Sequence, residues 1–458
     1  MRQHNRPKGP LHGLPISVKE HIYFKGTKAT AGMMAWADQE SPDDALIVRT
    51  FREQGAVFHV KTTNPQTLMA LETVSNLFGR TTNPYNTNLT SGGSSGGESA
   101  LLAMRGSPLG IGTDIGGSIR VPSAFCGIYG LKPSVSRTPH SGLSGLHGGM
   151  QNIIGVVGPM AHCVEDMELF MSAALYNSPW RREPAIIPKP WLQDQPGKSH
   201  LKIGIMWDDG FVHPHPPVTR AMRDAAVALQ AAGHTLVDWK PLYHEELFTL
   251  TNKAYFLDGG AEYRETAREG NEPCVRVIDD LLKTYGGQRH SLEETWKLNA
   301  DIDKLRTLYA SRWNAAGIDC LLCPIAPSVA SVHDETKYWG YSCVFNSLDY
   351  PGTVIPVGHV EPTDTWANFP RTRERANAVD GWYEGLYDGA HGPKRYEGAP
   401  IALQIVGTRL EEEQLLLMTK TIDEVLHQRS APVYNGLEAP VKNPWPAAKS
   451  VEPIERSL

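Results

Sequence analysis

Cysteine is scarce in this chain: six in 458 residues. That is too few for a disulfide scaffold, and reduced thiols are expected. Cys320 and Cys323 form a C-x-x-C pair, but within Ile-Asp-Cys-Leu-Leu-Cys-Pro-Ile, an apolar run with no second Cys/His pair nearby. On a strand, positions three apart face opposite sides, so the pair reads as core packing rather than a zinc or redox site. Long hydrophobic runs are missing too, and nothing approaches the roughly 18–20 residues of a membrane span. Arg2, Arg6 and Lys8 open the chain without the apolar segment of a secretory leader. Positive charge is not in excess. A formal net charge of −6 gives no basic footprint for nucleic acid or an anionic membrane. The terminal Arg-Ser-Leu lacks the residue order of a peroxisomal address. The sequon at Asn88-Leu-Thr90 reads as chance without a leader. A cytoplasmic location with no nucleic-acid partner and no transmembrane segment is expected.

Glycine and proline are plentiful, at 43 and 34, and punctuate alternating strand and helix patterns. Ser41-Pro42-Asp43-Asp44 reads as a helix start closed by Gly55. A strand is expected at Ala56–Val60, and helices at Glu98–Arg105 and Val164–Leu175. After a Pro/Trp-rich linker from Ser178 to Gly197 come a strand (Lys202–Trp207), a helix (Pro217–Ala232) and another strand (Leu236–Trp239). Long helical patterns cover roughly 246–268 and 291–316 before the Cys320 strand. Asp364 to Pro400 reads as loop, followed by strand Ile401–Val406 and helix Leu410–Leu426. This alternation predicts an α/β fold with a substantially parallel or mixed sheet.

Two serines stand in glycine-rich turns, Ser94 in Gly-Gly-Ser-Ser-Gly-Gly and Ser118, 24 positions on, in Gly-Thr-Asp-Ile-Gly-Gly-Ser. Glycine lets the backbone turn sharply and approach a ligand, and successive N–H groups in such turns converge on an anion. A hydroxyl beside those donors suits acyl transfer. Gly92–Gly96 also satisfies G-x-S-x-G, yet a polar, turn-rich loop precedes Ser94 where a nucleophile elbow needs a strand. Neither nucleotide fingerprint is completed around Gly110-x-Gly112. Asp114 and Arg120 flank the second turn with opposite charges, which reads either as a pair that holds its shape or as two solvated side chains. Lys19 follows the apolar Leu-Pro-Ile-Ser-Val and is a candidate buried base. To serve at neutral pH its pKa must fall by about 3 from ~10.4, roughly 4–5 kcal/mol of desolvation and hydrogen bonding. Ser199–Lys202 has Ser-x-x-Lys spacing without its companion motifs. His213-Pro-His215 lacks metal-site spacing, and no His-Glu-x-x-His occurs.

Gly92–Ser99 followed by Gly112–Pro133 closely resembles the amidase signature family. Gly-Leu-Pro-Ile-Ser-Val-Lys-Glu resembles its catalytic-lysine segment, and Gly398-Ala-Pro-Ile-Ala-Leu-Gln-Ile-Val-Gly its late strand and helix. The resemblance implies a three-layer α/β/α fold around a large central mixed sheet. It implies one domain over 1–458: a signature core of about 9–177, a cover region of about 178–318, and the rest of the core at about 319–430. It further implies Ser118 as nucleophile and Ser94, on a cis peptide bond, as relay to Lys19. The N–H groups of Ile115, Gly116, Gly117 and Ser118 would form the oxyanion hole, with no metal or organic cofactor. Ile115 and Val121 resemble the fungal acetamidase and fatty-acid amide hydrolase branches, and Gly106-Ser-Pro-Leu-Gly and Ser178-Pro-Trp lean toward the fungal one, so small to medium amides are the expected substrates. A pocket near Leu68, Tyr129 and 340–350 and a homodimer are also compatible with it.

The chain departs from the family in one respect. Eighteen residues precede Lys19, where relatives carry a helical segment of many tens, so that segment is expected to be missing. The rival readings are an α/β-hydrolase esterase using Ser94, a truncated relative that only binds, and an amidotransferase subunit.

Overall fold

The computed structural model describes residues 7–192, 195–389 and 391–429. Arg2, Arg6 and the terminal tripeptide lie outside them. Among the described residues twelve strands are formed: β1 (Pro15–Lys19), β2 (Val57–Thr62), β3 (Val74–Ser75), β4 (Gly79–Arg80), β5 (Leu109–Asp114), β6 (Tyr129–Lys132), β7 (Val156–Ala161), β8 (Lys202–Ile205), β9 (Thr235–Asp238), β10 (Cys320–Pro324), β11 (Gly352–His359) and β12 (Pro400–Val406). Ten build one sheet in the order β2-β1-β5-β7-β6-β11-β12-β10-β8-β9, with β3 and β4 a separate ribbon. Pairing is parallel at β2-β1-β5 and at β10-β8-β9, and antiparallel in between. The sheet is mixed and the fold α/β, as the sequence implied.

The central strands are apolar on both faces because helices cover both. Helices Leu46–Glu53, Val164–Ala174, Pro216–Ala231 and Glu412–Arg429 pack into one core with Ile16, Leu131, Ile203 and Leu403. Helices His244–Tyr255, Leu292–Ala316 and Gly340–Ser347 build a second with Leu321 and Val406. Cys320 belongs to the first core and Cys323 to the second, as strand alternation requires. Among the described residues no helix is long and apolar enough to cross a membrane.

Several elements differ from expectation for identifiable reasons. The first helix begins at Leu46, not Ser41, and has no side-chain cap. Asp44 instead accepts from the Lys25 N–H and pairs with Arg52. The pattern over 246–268 is two helices, broken where Gly259 and Gly260 take φ of +69° and +77°. The Asp364–Pro400 stretch holds a helix, Ala378–Leu386, started by the Asn377 side chain accepting from Asp380 N. The helix at 291–316 is capped reciprocally by Ser291 and Glu294. Residues 178–318, expected as a cover, also supply β8 and β9 to the sheet.

Candidate active site

Parallel strands β1 and β5 are neighbours and end at the same edge of the sheet, which brings Lys19 beside Thr113. Ser17 and Lys19 share one face of β1, two positions apart. The loop carrying Ser94 and the helix Gly96–Ala103 lie against that face. They come so close because β5 has no side chains there. A Cβ at Gly110 would stand 2.4 Å from Glu98 Oε2, and one at Gly112 would stand 3.2 Å from Ser95 Oγ.

Lys19 is fully buried; its Nζ lies 2.7 Å from Ser94 Oγ and donates to Thr113 Oγ1 at 2.9 Å. The peptide bond before Ser94 is cis. Burial lowers the Lys19 pKa from 10.5 to about 7, with the charges of Asp114, Glu98 and Glu20 opposing the fall. Glu98 is also buried. Its carboxyl accepts from Ser17 Oγ at 2.5 Å and Thr62 Oγ1 at 2.7 Å, and burial raises its pKa to about 7 against those bonds. Lys19 and Glu98 thus lie in one buried, hydrogen-bonded cluster whose burial draws both pKa values toward neutrality.

The turn after β5 is held from both sides. Asp114 accepts the backbone N–H of Gly117 at 2.9 Å and of Ile119 at 3.1 Å. It also takes Arg120 Nε and Nη2, each at 3.0 Å, and both side chains are fully buried. Burial alone would raise the Asp114 carboxyl, but the Arg120 charge and hydrogen bonds hold it well below the usual carboxylate range. Arg120 reaches on to Ser342 O, Gln404 Oε1 and Asn346 Oδ1. On the outer side Tyr255 O–H donates to Ile115 O at 2.5 Å, and Ser342 O–H to Gly116 O at 2.6 Å. In a planar trans peptide the carbonyl and the next N–H point in opposite directions. Anchoring Ile115 O on Tyr255 thus aims the Gly116 N–H away from Tyr255. Anchoring Gly116 O on Ser342 aims the Gly117 N–H at Asp114.

Lys19 and Ser94 are in contact, and Ser118 follows the 115–117 turn with its backbone O accepting from Ser95 N at 3.1 Å. Ser118 is 4% exposed, and its hydroxyl makes no hydrogen bond to a described residue. Ile115, Gly116 and Ser118 have no protein acceptor for their N–H groups among the described residues. Gly117 differs from expectation as a donor, since Asp114 already takes its N–H. It supplies shape instead: φ is +128°, and a Cβ would meet Ser342 Oγ at 2.4 Å. Of the expected pocket residues, Ser342 and Asn346 do meet the turn. Leu68 precedes Met69 and Ala70, which pack in one apolar cluster with Ile115, Ile153 and Tyr255. Tyr129 is elsewhere. It pairs with Ala161 at the far end of β7, whereas Asp114 pairs with Val156, and its O–H donates to Asp423 at 3.0 Å. Sequence reasoning missed Thr113, His21, Glu98 and Tyr255, all of which touch this cluster or its supports, and reached Ser342 only within the broad 340–350 region. An alternation reading of Ser17-Val18-Lys19 would have pointed to a shared face; no local signal marks Tyr255 or Ser342.

Comparison with known proteins shows the family. The family model described as Amidase matches residues 1–416. The chain belongs to the amidase family. It is 38% identical to the acetamidase of Aspergillus oryzae over 438 residues, 92% of this chain and 79% of the relative. It is likewise 38% identical to the acetamidase of Emericella nidulans over 437 residues, 93% and 78% of the two chains. Among solved structures it superposes on a fatty acid amide hydrolase with a TM-score of 0.89 at 32% identity, covering 93% of this chain and 75% of that one. The peptide amidase of Stenotrophomonas maltophilia, at 20% identity and a TM-score of 0.66, shares the fold, with 93% of this chain and 85% of that one aligned. As a member of this family the chain is a hydrolase acting on amides.

Proposed function

We propose that this amidase cleaves small to medium carboxylic amides, in the manner of the fungal acetamidases it resembles, through an acyl-enzyme on Ser118. The observation that carries the reading is the fully buried Lys19, 2.7 Å from Ser94 Oγ, in surroundings that lower its pKa to about 7. Near neutral pH about half of the lysine is the free amine, as a general base requires.

In the proposed cycle neutral Lys19 takes the Ser94 proton while Ser94 takes that of Ser118. Ser118 Oγ attacks the amide carbon, and the carbonyl oxygen becomes an oxyanion. The N–H groups of Ile115, Gly116 and Ser118 stabilise it, held in place by Tyr255 and the Asp114–Arg120 pair. As the C–N bond breaks, the proton on Lys19 returns through Ser94 to the departing nitrogen, leaving an ester on Ser118. Water, deprotonated by the same relay, hydrolyses that ester and restores the resting enzyme. Every proton taken is returned, and no cofactor enters. One continuous amidase-signature domain would carry the whole cycle.

The esterase reading gains no support: no strand leads into Ser94, and its hydroxyl bonds a lysine rather than a histidine. A fluorophosphonate probe followed by peptide mass spectrometry tests the choice. An adduct on Ser118, lost in Lys19→Ala, is expected, together with a loss of orders of magnitude in amide turnover in Ser118→Ala. An adduct on Ser94, with Ser118→Ala still active, would overturn the proposal.

A further inference from the structure

Lys19 is one link in a longer buried chain of hydrogen bonds. Thr113 Oγ1, which accepts from Lys19 Nζ at 2.9 Å, lies 3.0 Å from His21 Nε2. On the other side of that ring, Nδ1 lies 2.7 Å from Ser144 O. A carbonyl oxygen only accepts, so Nδ1 carries the ring proton and Nε2 is bare. The Thr113 O–H must then donate to Nε2. With its proton committed there, Thr113 can meet Lys19 only as an acceptor. A neutral amine has two N–H bonds and one lone pair. One N–H goes to Thr113, and the lone pair stays available to Ser94 O–H.

We propose that His21 is a positioning residue of the relay: acting through Thr113, it sets the direction of the hydrogen bonds around Lys19 and keeps the lone pair of the base on Ser94. Without that acceptor the Thr113 hydroxyl is able to rotate, donate to the amine, and occupy the lone pair the reaction needs. The inference rests on the Ser118–Ser94–Lys19 reading above.

The ring is well fixed for this task. Ser144 N–H and O–H donate to His21 O at 2.9 and 3.2 Å, and Ile22 bridges to Leu143, so one segment clamps both ring and backbone. Burial and the Lys19 charge hold the imidazole well below its usual pKa of 6.5, helped by His140 and Lys61 and opposed by the Ser144 contact. Nε2 therefore remains an acceptor throughout the neutral range. The charges facing Lys19 itself are Asp114, Glu98 and Glu20.

The test is a double-mutant cycle of His21→Leu and Thr113→Val, with kcat and KM for a simple amide measured across pH. Each single variant should lose roughly 10- to 100-fold in kcat with KM little changed. The double variant should be no worse than the poorer single, because His21 acts only through Thr113. The acid limb of kcat/KM should stay near pH 7. Multiplying losses, or a limb displaced toward 10, would overturn the proposal; the second would show that water had reached Lys19. If His21→Leu does not fold, 15N-histidine NMR of the unmodified enzyme decides. The Nδ1–H tautomer is expected, and the Nε2–H tautomer would refute the argument. Ser118→Ala serves as the reference. If it stays active the relay reading itself fails, whereas an inactive Ser118→Ala beside a fully active His21→Leu removes only the role of His21.

Discussion

Replacing Lys19 by methionine should abolish turnover and make the protein more stable near neutral pH. The unfolded chain holds this lysine with its ordinary pKa of 10.5, and the folded protein holds it at about 7. Between those values the unfolded state binds more protons, so unfolding free energy rises with pH. Keeping the amine neutral in the fold thus costs about 4 kcal/mol near pH 7, falling to about 1.4 kcal/mol at pH 9.5. Methionine removes that cost but also the two hydrogen bonds to Ser94 and Thr113, about 1 kcal/mol each. The net gain is about 2 kcal/mol at pH 7, and its sign reverses close to about pH 9. Equilibrium urea denaturation of both proteins at a series of pH values reads this directly through tryptophan fluorescence. A stability difference that does not vary with pH, or a Lys19→Met protein less stable at pH 7, would refute the claim that the folded protein buries a neutral lysine.

The proposed cycle makes the same lysine govern the pH dependence of turnover. kcat/KM should climb with a slope of one proton and level off above about 7, where Lys19 loses its charge; a flat profile from pH 5 to 8 would count against it as the base. Asp114→Asn should cost about 3–5 kcal/mol, because it leaves the fully buried Arg120 without its counter-charge. Thermal melting checks this, and a near-neutral outcome would mean that Asn346 and Gln404 alone suffice for the guanidinium.

What the sequence disclosed depended on how far each signal reached along the chain. Short cues with their own punctuation were legible: Val164–Ala174 and Leu292–Ala316 formed within a residue or two of expectation, and the apolar Cys320 run became a buried strand. Strand β5 was not, because Leu-Gly-Ile-Gly-Thr-Asp spends its inward positions on glycine to admit the Ser94 loop. A strand with absent side chains gives no alternation to read. The motif residues Lys19, Ser94 and Ser118 were visible for the opposite reason, since glycine and a buried lysine are conspicuous locally. Tyr255 was invisible, and Ser342 was reached only through the 340–350 region the resemblance implied, because nothing in their neighbourhoods reveals that they grip a turn 140 and 226 positions away.

Arg120 binds Ser342 O, Asn346 and Gln404, partners 222, 226 and 284 positions down the chain. The Asp114–Arg120 pair closes within six residues, yet the other contacts of the guanidinium arrive from residues 342 and 346 and, last, from Gln404 on β12. A nascent chain that ends short of residue 404 would thus hold Lys19, Ser94 and Ser118 without the full set of contacts that fixes Arg120 behind the Ser118 turn.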